Sequence, residues 1–368
     1  MRPVEAAQQP LPLVAVLEVS GAVLSWIIDS AADPADAVEV TIVDPARADW
    51  LWRVFGESGH VALLSSVEEP RELTGLRVAP GSMNPLHRLA LGHWLRRWWP
   101  ASQRDDIPTL DRALLDTEVA LLTVGAQDFF SDDTLDSDVT GLLAPHAAAL
   151  TGHARTSDSR VRDLVRAGAE LADEVGLDGD DWADLSVALD DPESALSMPT
   201  GYRDDYALAA GAGAGPRSSA AIGQGVASIN WGAVPPGIFD AAEDTVDWSV
   251  EAAGPAVVAV VRAAVIGPEP ATDIAVRVQS GDVTGAAALD AGGRATVPLV
   301  DAQRRYLTES AAWNHDWPAT SVVIGAPLAQ TGEPREVRER VRRWVRARLE
   351  QPPQDAYLAE ILASESSY

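Results

Sequence analysis

Hydrophobic and polar positions divide this chain into stretches of different period. Near the start, VAVLEV and AVLSWIID flank the turn pair Ser20-Gly21 and predict a β-hairpin. AVEVTIVD alternates, with Val38, Val40 and Ile42 on one face, and predicts a third strand. Asp44-Pro45 supplies an N-cap followed by a proline at the first helical position. The helix it opens carries Trp50, Leu51, Val54 and Phe55 and is expected to end at Gly56, after which HVALLSSV reads as a returning strand. The region to about Pro80 is thus a small unit of strands and one helix.

From Asn84 to about Leu189 the period is helical. NPLHRLALGHWLRRWW puts Leu86, Leu89, Ala90, His93, Trp94 and Trp98 in one broad stripe. LDRALLDTEVALLTVGAQDFF, DVTGLLAPHAAAL, SRVRDLVRAGAELADEVG and DDWADLSVAL follow at short intervals. Their spacing predicts a four- or five-helix bundle packed on the N-terminal strands.

Between Asp190 and Ala242 the pattern dissolves. Small residues, the glycine-rich stretch GAGAGPRSSAAIGQG, and Pro199, Pro216, Pro235 and Pro236 argue against any regular element there. A linker is expected, with Arg217 as a protease-sensitive position. The rival is an ordered loop anchored by Tyr202, Tyr206 and Trp231.

Beyond it the period is two. TVDWSVEA turns Val246, Trp248 and Val250 inward; AVVAVVRAAVI reads as a central strand buried on both faces; TDIAVRVQ alternates again. Asp290 to Gly293 is expected to turn a hairpin between AAAL and RATVPL, and TSVVIGA supplies a last strand. Six or seven short strands fit an immunoglobulin-like β-sandwich. Two helices close the chain. One has an apolar face of Val337, Val341, Trp344, Val345 and Leu349, and the other groups Tyr357, Leu358, Ile361 and Leu362.

The fold class expected is therefore a multidomain α+β protein. Residues 1–189 form a strand-plus-helical-bundle domain and 190–242 a linker or extended loop. Residues 243–330 form the immunoglobulin-like sandwich module, and 331–368 the C-terminal helices.

Composition narrows the chemistry. The formal net charge of −27 repels nucleic acid and anionic membranes. The chain has no cysteine, which removes disulfides, thiolate zinc sites and cysteine nucleophiles. All 28 basic residues are arginine, so neither a pyridoxal Schiff base nor a lysine-containing phosphate loop is available. The arginine and alanine excess matches a GC-rich bacterial genome. No apolar run reaches the roughly 18 residues a membrane span needs. MRPVEAAQQP lacks the layout of a secretory leader, so a cytoplasmic protein is expected.

Motifs add little. GAGAGP neither follows a strand nor opens a helix, as a dinucleotide loop must. His60, His87, His93, His146, His153 and His315 show no i, i+4 pair of the kind that holds zinc. DDTLDSDVTG and DGDDWADLSVAL lack the glycine and glutamate of a calcium loop. His315-Asp316 reads as a packed corner rather than a catalytic pair. The seven arginines between Glu333 and Glu350 pair at i, i+4 as Glu336–Arg340 and Glu339–Arg343, which points to a self-neutralised face. No catalytic, cofactor or metal residue is expected.

The function expected is that of a non-catalytic adaptor binding other proteins in a bacterial signalling or defence system. Tyr357, Leu358, Ile361 and Leu362 are candidate partner-binding residues. One alternative is a metal-independent hydrolase using carboxylates of the N-terminal half. Another is a regulatory substrate cleaved between residues 198 and 235.

Overall fold

The structure, a computed structural model, describes residues 12–32, 37–67, 81–127, 129–130, 136–190, 221–254, 256–326 and 333–366. It combines helices with antiparallel sheets, a mixed α+β protein. The chain divides into two compact units. The first takes Met1–Arg97, Leu110–Met198 and Glu336–Tyr368; the second takes Trp98–Thr109 and Pro199–Arg335. The terminal helices therefore join the N-terminal unit, and most of the second unit is an insertion into the first.

The first unit begins with an antiparallel sheet in the order β1 (Val14–Val19), β2 (Ala22–Ile27), β3 (Glu39–Ile42). The hairpin turns at Ser20-Gly21, where Gly21 has φ 79°. Alternation decides which face is buried. Ala15 pairs with Trp26, Leu17 with Leu24 and Val19 with Ala22, and all six are core residues. A 3₁₀ turn (Arg47–Leu51) leads into α1 (Trp52–Val67), which is interrupted at Gly56. Gly56 breaks the helix as its sequence suggests, but the chain resumes helical form after it. HVALLSSV is thus helix, not strand: a short apolar run carries no decisive period, and Ser65 Oγ donates to the Val61 carbonyl one turn back.

Helices α2 (Asn84–Trp98), α3 (Arg112–Gln127), α4 (Asp136–Leu143), α5 (Ala147–Ala154), α6 (Ser159–Glu174) and α7 (Asp180–Asp190) follow. The stripe on α2 is buried at Leu86, Leu89, Ala90, Trp94 and Trp98. It meets the sheet through Trp26, whose ring stands edge-on to His87 at 5.5 Å.

The second unit holds two antiparallel sheets. One has the order β4 (Gly223–Ala227), β5 (Val246–Ala253), β6 (Ala256–Ala263), β9 (Arg294–Pro298). The other runs β10 (Ser321–Ile324), β7 (Ala275–Ser280), β8 (Val283–Ala288). Val246, Trp248 and Val250 face inward as alternation requires. On β6 the buried residues are Val257, Ala259, Val261 and Ala263 on one face and Val260 on the other, while Arg262 is exposed.

Three expectations for this unit differ from what is observed. β4 lies inside the stretch expected to be irregular. Its glycines serve close approach: a Cβ at Gly223 would stand 2.6 Å from Trp317 Cγ, and one at Gly225 2.5 Å from Trp248 Cζ2. The Asp290 turn does close locally, with Asp290 N–H donating to the Arg294 carbonyl. Its flanking strands, however, join different sheets, so it carries the chain across instead of closing a hairpin. Finally, an immunoglobulin domain places its second and third strands in opposite sheets, whereas β4, β5 and β6 are consecutive neighbours in one.

A short α8 (Glu309–Trp313) precedes β10. Returning to the first unit, α9 (Arg335–Glu350) and α10 (Leu358–Ser366) end the chain.

Candidate functional site

Ionisable chemistry in the first unit gathers along α3, which carries Asp116 and Glu118 and is preceded by Asp111. Asp116 is almost wholly buried, and two arginines and a histidine converge on it. Arg96 donates through Nε at 2.6 Å and Nη2 at 3.3 Å, Arg112 through Nε at 3.0 Å, and His146 Nε2 lies 3.0 Å away. Burial alone would raise the Asp116 pKa; the hydrogen bonds from His146 and Arg96 and the charges of Arg112 and Arg96 outweigh it, and the net shift is downward. One turn earlier, Asp111 pairs with His153 at 2.8 Å. A carboxylate saturated in this way makes a poor general base. Its chemistry is structural, holding α2, α3 and the start of α5 together.

Glu118 behaves oppositely. Burial pushes its pKa up, and neighbouring Glu360 adds to the rise against the Leu358 N–H bond and the Arg88 charge. Its Oε2 accepts from Leu358 N–H at 2.8 Å, and Arg88 donates to Oε1. Beside it lies a buried ion pair. Arg348 donates Nε to Glu360 Oε1 at 2.7 Å and Nη2 to Oε2 at 2.9 Å, while Tyr357 N–H also donates to Oε2. The Arg348 guanidinium sits 4.9 Å from the Trp344 ring centre, and that ring packs edge-on to Trp94 at 5.1 Å. Residues 240 positions apart thereby fasten α10 to α3.

The candidate partner-binding residues separate in the structure. Tyr357 is fully buried, its hydroxyl donating to the Arg88 carbonyl, so it packs in the core of the first unit. Leu358, Ile361 and Leu362 are half-buried. Arg217 lies outside the described residues. On α9, Arg340 pairs with Asp29 through both carboxylate oxygens rather than with Glu336 one turn away.

The histidines are spread through the fold. His93 is half-buried with its pKa lowered to about 4, first by burial and then by Arg96. His315 Nε2 lies 2.9 Å from Ser280 Oγ, and its ring stands edge-on to Trp317 at 4.5 Å. Ser280 is fully buried and also accepts from Thr320, which makes this a packed corner. Among the described residues no three His, Asp or Glu side chains form a metal-binding group. No described helix is long and apolar enough to cross a membrane.

The second unit presents a different feature. β4 and β10 are the outer strands of their sheets, and among the described residues no strand pairs with their far sides. Both display valines to solvent, Val226 at 55% and Val323 at 40% exposure. The opposite edges are joined, because Thr284 of β8 bridges Val300 just after β9. Sequence reasoning missed β4, although alternating glycine before Val226 is a signal of a strand lying on large side chains.

Comparison with protein-family models, with curated proteins and with solved structures returns no significant match.

Proposed function

We propose that the chain is a non-catalytic adaptor that binds another protein through its second unit. One observation carries this reading: among the described residues no strand pairs with the outer edges of β4 and β10, which show exposed valines and neither lysine nor proline to block them. Natural sheets guard such edges unless they use them, and strand addition is a common mode of peptide recognition. The saturation of Asp116 and of the Arg348–Glu360 pair agrees with a chain whose buried charges hold structure together. In this reading the two sheets stack as a β-sandwich with a strand order of its own, and the partner belongs to a bacterial multi-protein assembly.

The test uses point variants of the full chain as bait. Removing residues 245–368 would strip α9 and α10 from the first unit, so truncation confuses folding with binding. The V226K/V323K double variant is expected to lose a partner that the wild type and an I361S variant both recover. Retention by V226K/V323K with loss in I361S would move the binding surface to α10 and overturn the reading.

A further inference from the structure

We infer that the edge of β4, which no described strand pairs, receives an extended segment of another protein that alternates apolar with lysine or arginine residues. The inference rests on the adaptor reading and names the partner's chemistry. β4, GQGVA, carries no charge, and its inner side is closed by the rings of Trp248 and Trp317 beneath Gly225 and Gly223. It is a short, firmly backed edge.

The register sets the charge an incoming strand meets. On the outer face Val226 stands opposite Asp247 of β5, and Asp247 stands opposite Arg262 of β6, which faces Arg294 of β9. Strands lie about 5 Å apart. A strand added to β4 therefore runs about 10 Å from Asp247, about 15 Å from Arg262 and about 20 Å from Arg294. The screening length in physiological salt is about 8 Å, so the nearer carboxylate dominates. A lysine or arginine stem lies across the Val226 side chain and carries its charge toward Asp247. Glu251 lies further along the same strand, bonded to Ser249 at 2.8 Å, and Glu243 and Asp244 precede it. Arg104 also lies here, and it donates to the backbone carbonyls of Glu243 and Asp244 at 3.0 Å. The neighbourhood is net acidic. A second copy would set Asp247 toward its own counterpart and would join two chains of net charge −27.

The experiment measures fluorescence anisotropy of a short capped peptide alternating valine and lysine, titrated with the full chain. A second peptide carries glutamate in place of lysine. The lysine peptide is expected to bind, to weaken as salt is raised, and to bind about tenfold more weakly to V226K, with the variant's circular dichroism and melting unchanged. D247N is expected to weaken it several-fold. The glutamate peptide is expected not to bind. If both peptides bind equally and V226K abolishes both, the edge accepts strands but the basic partner is wrong, and the adaptor reading survives. If V226K leaves lysine-peptide binding unchanged, or neither peptide binds, the inference fails. A concentration-dependent dimer that V226K dissolves would assign the edge to a second copy and overturn it.

Discussion

Replacing Glu360 with alanine removes the carboxylate that joins α10 to α9. Glu360 is 1% exposed and Arg348 9% exposed, so the guanidinium would remain in the interior without its bidentate partner. Losing one member of a buried pair costs about 3–5 kcal/mol. Tyr357 N–H, which donates to Glu360 at 2.9 Å, would lose its acceptor too, and an orphaned buried donor adds about 1–3 kcal/mol. Arg348 keeps Asp355 at 3.3 Å and the Trp344 ring, which offsets part of the loss. The expected cost is about 3–5 kcal/mol rather than the sum. The R348M/E360L double variant removes both charges but still leaves Tyr357 N–H without its acceptor, and is expected to cost about 1–3 kcal/mol, less than E360A. Urea unfolding of the first unit, followed by near-ultraviolet circular dichroism and by hydrogen exchange of α10 amides, measures both. A cost for E360A below about 1 kcal/mol, or a double variant as unstable as E360A, would refute the reasoning.

Two further predictions concern other sites. His93 is held neutral with a pKa of about 4, against 6.5 when unfolded, so the unfolded chain takes up the proton first as pH falls. Its contribution is present above pH 6.5 and lost between 6.5 and 4, amounting to at most about 3 kcal/mol. A His93→Leu variant should flatten the dependence of the urea midpoint over that window, and an unchanged slope would contradict the assignment. Gly225→Ala should destabilise the second unit by about 1–3 kcal/mol, because the new Cβ meets Trp248. In a flexible linker the same change would be neutral or slightly stabilising, so thermal melting of the variant separates the two accounts.

Elements whose faces differ sharply in polarity were legible from sequence. The β1–β2 hairpin, the alternation of β5 and the apolar face of α9 follow from spacing alone, since each buries the side its pattern selects. β4 is signalled only by its alternating glycines, because its inner face is filled by Trp248 and Trp317, residues borne by other elements. The switch of sheets at Asp290 was hidden for a related reason: the turn closes locally while the flanking strands choose partners far along the chain. Asp116 and His146 stand 30 positions apart, and only helix packing brings them together. The union of α9 and α10 with the first unit depends on pairs such as Arg340–Asp29, separated by 311 positions. Local pattern carries no trace of such pairs.

The claim that the second unit binds its partner by strand addition is tested most directly by amide hydrogen exchange across the free chain and the complex. The account predicts new protection at Gly223–Ala227 or Ser321–Ile324, with α10 unchanged. Protection confined to α10 or to the helices of the first unit, with β4 and β10 exchanging as in the free chain, would contradict it.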